Sequence, residues 1–247
     1  MWKNKHKTKF WKHVELFPFQ KDLLDRINKE KYMNNKVLIV TLLDRSGSMS
    51  SIQNDMIGGF NNFMNEQRED DLRQNITTYC SLYRFDDVYE RVFSNTPITN
   101  GDVVRLSQDN FQPRGSTALV DSMCKCIDEV GRELAAMSPT QRPSKVVFIT
   151  ITDGEENSSK EFTYQVLSDK IKHQRDVYNW QFVYLGANQD AFSVGNTLSV
   201  NKCATANFSA NAAGVKTAFR SVSMGMSSYK CASSPDAVYS LHDSSNE

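Results

Sequence analysis

Consecutively apolar runs alternate along this chain with segments whose apolar residues recur every three or four positions. A continuous apolar run indicates a strand that is covered on both faces of a sheet. Three such runs are residues 36–43 (KVLIVTLL), 145–152 (KVVFITIT) and 180–187 (WQFVYLGA). Residues 75–85 and 88–94 are also strand-like and should form an antiparallel hairpin, because only two aspartates separate them. A shorter strand is predicted near 203–208.

The other segments predict helices. Three of them have an apolar stripe at helical spacing. The stripes are Ile52, Met56, Phe60 and Phe63 in the first helix, Leu119, Met123, Ile127, Val130 and Leu134 in the second, and Ala212, Val215, Phe219, Val222 and Met226 in the last. A polar helix is predicted near 160–173, and residues 95–117 should form a loop because prolines and glycines interrupt them. Gly58 and Gly59 should allow the first helix to pack closely on the sheet, since no phosphate-binding glycine motif is present.

This alternation implies a three-layer, Rossmann-like, doubly wound α/β sheet that is mostly parallel and has one antiparallel edge strand. In such a sheet, ligands bind beyond the carboxyl ends of the strands, where the strand order reverses. We expect strands 36–43 and 145–152 to be neighbours that flank this point.

Composition fits one globular domain with extensions. The chain has 247 residues, 39% of them hydrophobic, which is enough for one sizeable core. The formal net charge is zero, yet residues 1–36 contain ten lysines and arginines against four acidic residues. We therefore divide the chain into a basic N-terminal extension (1–35), a central domain (36–230) and a flexible, serine-rich acidic tail (231–247).

The basic extension leaves several roles open. Its segment WKNKHKTKFWKH contains Trp2, Phe10 and Trp11 among lysines. It could contact nucleic acid, an anionic membrane or an acidic protein, but we favour a solvated arm whose aromatic residues dock on the domain. No apolar run reaches the ~18 to 20 residues of a membrane span, and the start lacks a secretory signal. We expect a cytoplasmic monomer whose five cysteines are reduced.

Oxygen donors follow two of the predicted buried strands. Asp44, Ser46 and Ser48 come directly after the first, and Asp153 follows the later KVVFITIT strand. If these strands are neighbours, two carboxylates and two hydroxyls converge, and Thr117 in the loop QPRGSTALVD could add a third hydroxyl. Mg²⁺ prefers octahedral oxygen ligands, so hydroxyls can bind it directly while carboxylates hold its waters. The sequence therefore predicts a site for Mg²⁺ or Mn²⁺.

Each part of this pattern also has an ordinary structural explanation. Ser50, Ser51 or Thr117 could cap a helix, and an Asp-Gly pair is a common turn. Glu155 and Glu156 could tune the charge of the site or simply be solvated. The combination at three matched loops favours one common site over these separate explanations.

The combination also resembles a known site. The D-x-S-x-S run at 44–48, the Gly-Ser-Thr loop at 115–117 and the Thr-Asp-Gly at 152–154 are similar, in this order, to the metal-ion-dependent adhesion site of von Willebrand factor type A (vWA) domains. The resemblance covers about residues 36–226. In RGSTALVDSM, TDGEENSS and FVYLGANQDA the chain is most similar to small stand-alone intracellular members from bacteria and their viruses.

The resemblance implies roles for these residues. Ser46, Ser48 and Thr117 would bind the metal directly, and Asp44 and Asp153 would bind it directly or through water. It also implies that closure of the site is coupled to a shift of the C-terminal helix. We expect few anchors to hold that helix beyond its apolar stripe.

Three functions are consistent with such a site. The first is a metal-dependent protein-binding module in which an Asp or Glu of a protein partner completes the coordination. The alternatives are a Mg²⁺-assisted hydrolase or phosphotransferase, and a nucleic-acid scaffold that uses the basic arm. We do not expect an enzyme, because no histidine falls beside a predicted metal loop and no G-x-S-x-G or H-E-x-x-H motif occurs. Nucleic acid is not an expected partner either.

Overall fold

A computed structural model describes residues 35–187, 190–232, 234 and 237–241. The predicted N-terminal extension therefore lies outside the described residues, except for Asn35. The strands are β1 (Lys36–Asp44), β2 (Thr77–Phe85), β3 (Tyr89–Pro97), β4 (Lys145–Thr152), β5 (Gln181–Ala187) and β6 (Thr205–Phe208). The helices are α1 (Gln53–Gln74), α2 (Leu119–Ala136), α3 (Tyr164–Tyr178), α4 (Ala191–Thr197) and α5 (Ala212–Cys231). Short 3₁₀ turns span Gly47–Ile52 and Lys202–Ala204.

The six strands form one sheet in the order β3-β2-β1-β4-β5-β6. Only the pair of β2 with the edge strand β3 is antiparallel. The chain moves outward from β1 to β3 and then returns to β4 on the other side of β1, so the strand order reverses between β1 and β4. Helix α1 packs with α5 and α2 packs with α3. The predicted doubly wound sheet with one antiparallel edge strand is confirmed.

Burial explains why the central strands have no polar alternation. Eight consecutive residues of β1 are buried, and so are all seven residues of β5. The stripes of α1 and α2 are buried as predicted, with no member more than 6% exposed. In α5 the stripe is buried from Val215 onward, whereas Ala212 is exposed in the first turn. The core therefore consists of both sheet faces and the helix faces that cover them.

The elements differ from the sequence prediction in several bounds and in one additional helix. Strand β3 continues to Pro97, three residues into the predicted loop, because Asn95 adopts φ 43° beside a bulge and donates its N–H to the Ser81 hydroxyl (2.8 Å). Helix α3 begins only at Tyr164, because Thr163 caps it by accepting the N–H of Val166. The seven-residue helix α4 was not predicted.

Of the glycine pair in α1, only Gly59 serves close packing, and it packs against a helix and not, as predicted, on the sheet. A Cβ atom at position 59 would lie 2.3 Å from a ring carbon of Phe219 in α5. The same atom at position 58 would have nothing within 4 Å. Gly59 therefore lets α1 approach α5 closely, while Gly58 faces open space.

Helix α5 has more anchors than its sequence suggests, so the expectation of few anchors was wrong. Polar residues of α1 face polar residues of α5 along their contact. Gln67 donates to the hydroxyl of Ser223 (3.1 Å), the hydroxyl of Ser227 donates to Asp70, and Lys230 forms an ion pair with Asp71 (2.8 Å). The Nζ of Lys145 in β4 donates to three carbonyl groups at the C-terminal end of α5, those of Tyr229, Lys230 and Ala232.

Part of the predicted flexible tail is packed against the domain. Tyr239 is fully buried, and its hydroxyl donates to the carbonyl of Val222 (2.7 Å). Its N–H donates to the side chain of Gln181 (3.0 Å), and the N–H of Leu241 donates to the carbonyl of Cys203 (2.8 Å). Residues Tyr239 and Leu241 of the predicted tail therefore contact the domain. A buried tyrosine contributes more apolar contact than the surrounding serines and acidic residues predict.

Within the described ranges, no helix has the length and apolar character that crossing a membrane requires.

Candidate metal centre

The candidate centre begins where β1 and β4 end side by side. Asp44 is the last residue of β1 and Thr152 is the last residue of β4. The carboxylate of Asp44 is buried and accepts two hydrogen bonds of 2.6 Å, one from the N–H of Ser46 and one from the hydroxyl of Thr152. Asp44 therefore joins the loop that follows β1 to the end of the neighbouring strand.

A chain of side-chain oxygens continues from this point. The hydroxyls of Ser46 and Ser48 are 3.0 Å apart, and the hydroxyl of Ser48 donates to Asp153 at 2.6 Å. Ser46 is buried, Ser48 is exposed and Asp153 is half-buried. The 3₁₀ turn that starts at Gly47 brings the Ser48 hydroxyl to Asp153, and the Ser46 hydroxyl contacts that of Ser48. The centre is thus open to solvent at Ser48 and closed at Asp44.

Gly154 keeps a space open among three of the predicted ligands. A Cβ atom at this position would lie 2.8 Å from Oγ1 of Thr117, 3.6 Å from Oγ of Ser46 and 3.7 Å from Oδ2 of Asp44. Hydroxyl and carboxylate oxygens are the donors that Mg²⁺ and Mn²⁺ prefer. The structure therefore brings all five predicted site residues together, and the donor set around this space fits a hard divalent cation.

The alternative explanations for these hydroxyls do not account for their positions. The N-cap of α2 is Ala118 and that of α1 is Ile52, and neither has a side-chain cap. Thr117 therefore does not cap α2. The hydroxyls of Ser50 and Ser51 donate to carbonyls within the 3₁₀ turn.

Burial makes the two site carboxylates receptive to positive charge. It raises the pKa of Asp44 to about 6, although hydrogen bonds from Thr152 and Ser46 act in the opposite direction. Burial also raises the pKa of Asp153, and the hydrogen bond from Ser48 opposes it. A nearby cation favours the ionised form of such groups. Among the described residues no three His, Cys, Asp or Glu side chains form a cluster, and two of the three oxygens nearest to a Cβ atom at Gly154 belong to hydroxyl groups.

A buried ion-pair network that the sequence analysis missed supports the loops of the centre. Arg45 is 3% exposed and its Nε lies 2.8 Å from Oδ2 of Asp86 in the turn of the hairpin. Arg114 contacts the same oxygen at 2.9 Å. Burial would raise the pKa of Asp86, but hydrogen bonds from Arg114 and Val88 and the charge of Arg45 together hold it below its usual value. No pattern in the sequence links these residues, and the two ion pairs of Asp86 span 41 and 28 positions.

Backbone contacts complete this connection between the loops. The N–H of Arg114 donates to the carbonyl of Arg45 (2.6 Å), and that of Gly47 donates to the carbonyl of Gly115 (3.2 Å). Gly115 has φ +67°, and a Cβ atom there would lie 2.2 Å from Oδ1 of Asp87. The positive φ favours a glycine at this point, and a side chain there would also displace the Asp87 carboxylate. The loop that carries Thr117 is therefore held against the loop that carries the two serines.

No family model and no curated protein sequence matches the chain. Solved structures do match it. One is a von Willebrand factor type A protein from Catenulispora acidiphila (TM-score 0.52, 12% identity), covering 77% of this chain and 42% of that protein. Another is proximal thread matrix protein 1 from the mussel byssus with a zinc-occupied metal-ion-dependent adhesion site (TM-score 0.54, 17% identity, 78% and 46% coverage).

A third similar structure is the von Willebrand factor domain of the type V pilus tip protein Mfa5 from Porphyromonas gingivalis. Its TM-score is 0.54 at 10% identity, with 77% of this chain and 95% of that domain covered. The chain spans less than half the length of the first two proteins. These likenesses agree with the sheet order, the antiparallel edge strand and the helices on both faces. The chain therefore has the von Willebrand factor type A fold.

Proposed function

We propose that this protein is a metal-dependent protein-binding module whose resident ion is Mg²⁺ or Mn²⁺. The observation that carries the proposal is the space at Gly154, which oxygens of Asp44, Ser46 and Thr117 surround. Ser46, Ser48 and Thr117 would hold the ion through their hydroxyls, and Asp44 and Asp153 would hold it directly or through water. The zinc at the corresponding motif of the mussel byssus protein supports a divalent cation in this fold.

A bound ion would supply positive charge and one coordination position for a carboxylate oxygen. The exposed side of the centre is formed by Ser48 and the half-buried Asp153, so a side chain from another protein can reach it. We propose that the partner presents an Asp or Glu there, and that the module acts as a monomer in the cytoplasm without catalysis. Support for binding over catalysis comes from the sequence, in which no histidine falls beside a predicted metal loop.

The proposal can be tested by titrating the full chain with Mn²⁺ in a calorimeter. Gly154→Ala would place a methyl group 2.8 Å from the Thr117 hydroxyl and fill the space. We expect one Mn²⁺ per chain in the natural protein and none in Gly154→Ala. Gly58→Ala is the matched control, because a methyl group there meets nothing within 4 Å. Absence of binding in the natural protein, or equal binding in Gly154→Ala, would contradict the proposal.

The partner chemistry needs a second experiment. An array of short peptides that contain Asp or Glu, each paired with its Asn or Gln counterpart, can be probed with the protein in Mg²⁺ and in a chelator. We expect binding only to acidic peptides and only with the ion. Binding that survives the chelator would exclude a metal-bridged carboxylate.

A further inference from the structure

The loop that follows β4 is fastened to the start of α2 by hydrogen bonds that run in both directions. We call this set the loop–helix clasp. It consists of Glu156, Asn157 and Ser159 on the loop and Thr117, Val120 and Asp121 on the other side. Glu156, Asn157 and Ser159 are not predicted ligands, but their loop begins at the predicted ligand Asp153, and Thr117 in the clasp is another predicted ligand.

Asn157 holds Thr117 by both of its backbone polar groups. The N–H of Thr117 donates to Oδ1 of Asn157 (2.9 Å), and the N–H of Asn157 donates to the carbonyl of Thr117 (3.0 Å). Thr117 is 2% exposed, so water has little access to these groups. One residue on the opposite loop therefore fixes the backbone that carries the Thr117 hydroxyl.

Glu156 takes the place of an N-cap for α2. Its carboxylate accepts the N–H of Val120 (2.8 Å) and the hydroxyl of Ser159 (2.6 Å), besides two N–H groups of its own loop. Helix α2 has no side-chain cap of its own. A carboxylate at this end satisfies a free N–H group and interacts favourably with the helix dipole.

Asp121 makes the reciprocal connection from the helix to the loop. Its carboxylate accepts the N–H groups of Lys160 (2.7 Å), Phe162 (2.8 Å) and Glu161 (3.0 Å). Its own N–H donates to the hydroxyl of Ser159 (3.0 Å). The loop and the helix are thus joined by several hydrogen bonds. Among the clasp residues of the loop, Asn157 is the residue that bonds directly to a predicted ligand, Thr117.

We propose that Asn157 is a positioning residue of the metal centre, which sets the distance between Thr117 and the Gly154 space through its two bonds to Thr117. The inference rests on the proposed function, since it concerns the same site. Asn157 acts through Thr117 and need not touch the ion. Groups that orient metal ligands change metal affinity by about 10- to 100-fold when they are replaced. The clasp orders the Thr117 loop before the ion arrives, so binding does not have to order it.

The test compares Asn157→Ala with Asn157→Asp in the full chain. The aspartate variant retains the Oδ1 acceptor and the backbone donor, whereas alanine removes the acceptor and keeps only the backbone donor. We expect Mn²⁺ to bind Asn157→Ala about 10- to 100-fold more weakly and Asn157→Asp within about threefold of the natural protein. Asn62→Ala, an exposed position on α1, is the control and should bind as the natural protein does.

Two further readouts separate positioning from general stability. The melting temperature shows whether each variant is folded, and the electron paramagnetic resonance spectrum of bound Mn²⁺ reports the ligand arrangement. We expect an altered spectrum in Asn157→Ala and a natural one in Asn157→Asp. If Asn157→Ala does not fold, Asn157→Ser replaces it, because the serine hydroxyl is too short to reach the N–H of Thr117.

The outcomes distinguish the positioning role of Asn157 from the proposed metal-binding function. Equal Mn²⁺ affinity in the natural protein and in Asn157→Ala, with or without a lower melting temperature, would overturn the positioning role and leave the metal site standing. No Mn²⁺ binding in the natural protein would overturn the proposed function and the inference together. Weak binding in both Asn157→Ala and Asn157→Asp would overturn the assignment of the effect to the Oδ1 acceptor.

Discussion

Asp44 links two loops of the candidate centre, since its carboxylate accepts bonds from Ser46 and Thr152. Replacing it with alanine removes one of the oxygens around the Gly154 space and half of the carboxylate charge of the centre. We expect Asp44→Ala to lose Mn²⁺ binding in calorimetry. Asp44→Asn, which retains an acceptor for Thr152, should stay folded and also lose most of the affinity. Undiminished binding in both variants would show that the ion lies elsewhere.

Asp121 should make stability depend on pH. Burial would raise its pKa, but three backbone N–H groups and the nearby charge of Lys125 hold it below its usual value. An aspartate with a lowered folded-state pKa stabilises the protein above its unfolded value of about 3.9, and this contribution is lost as pH falls through the folded pKa. We expect Asp121→Asn to cost about 1 to 3 kcal/mol at pH 7.

Comparing Asp121→Asn with the natural protein at several pH values tests whether the charge of Asp121 causes the loss. Urea denaturation of both proteins from pH 7 to pH 3 measures the difference in unfolding free energy. We expect the difference to be constant above about pH 5 and to shrink below about pH 4. A difference that stays the same across this range would show that the charge of Asp121 is not the cause.

The sequence predicted the residues at strand ends and, through the vWA resemblance, Thr117 in the loop before α2. Asp44 and Asp153 could be paired in advance because parallel neighbours bring their carboxyl ends together. The contacts of Asn157 with Thr117 and of Arg45 with Asp86 span about 40 positions, and neither has a periodicity or a spacing that marks it. Such contacts depend on how loops fold back, which the pattern of apolar residues does not determine.

At the scale of elements, the contact between α1 and α5 offers a matched pair of substitutions. Gly59→Ala would press a methyl group into the ring of Phe219, which is itself packed against Phe63. We expect it to destabilise the protein by about 1 to 3 kcal/mol. Gly58→Ala should stabilise by about 0.5 to 1 kcal/mol, because alanine favours the helix and meets no neighbour. Chemical denaturation of the two variants checks the difference, and equal effects would contradict the close approach at Gly59.

Breaking the buried ion pair between the same helices should destabilise the protein more than Gly59→Ala does. The side chain of Lys230 is fully buried and that of Asp71 is 8% exposed. Lys230→Met would leave the Asp71 carboxylate without its cation, so we expect a loss of about 3 to 5 kcal/mol in unfolding free energy.

Lys216→Met is the matched control for this prediction. Lys216 is exposed on the same helix, and its replacement should change the unfolding free energy by no more than about 0.5 kcal/mol. Similar losses in the two variants would mean that the methionine, and not the lost charge pair, affects the helix.

The elements themselves were predicted where burial leaves a strong pattern. Strands covered on both faces and helices with a long apolar stripe were found near their observed bounds. Helix α4 was missed because seven residues are too few to show a period, and the end of β3 was missed because a bulge at Asn95 breaks its alternation. The polar contacts of α5 were missed because serines and a lysine on a helix usually face solvent.

At the scale of the whole molecule, these contacts bear on whether the domain switches. The C-terminal end of helix α5 is held by the ion pair of Lys230 with Asp71 of α1 and by the hydrogen bonds from Lys145, and Tyr239 bonds to Val222 nearer its middle. The vWA resemblance implies a helix shift on closure of the site, whereas three separate anchors oppose sliding. The clasp further indicates that the Thr117 loop is ordered without such a shift. If the helix shifts on closure, an added ion should change the protection of α5. If the anchors hold the helix, the ion should leave α5 unchanged.

We expect Mn²⁺ to order the metal loops and to leave α5 in place. Amide hydrogen exchange with and without the ion should show slower exchange in residues 45–52 and 153–163 and no change in Ala212–Cys231. Coupling between two sites is reciprocal, so an α5 that does not respond to the ion cannot alter ion affinity when it is loosened. Lys230→Met should therefore bind Mn²⁺ as the natural protein does, while its α5 exchanges faster. Two results together would contradict this expectation: a change in α5 exchange on adding the ion, and a shift of about fivefold or more in the Mn²⁺ affinity of Lys230→Met. They would show that the anchors do not hold α5 and that its position is coupled to the metal site.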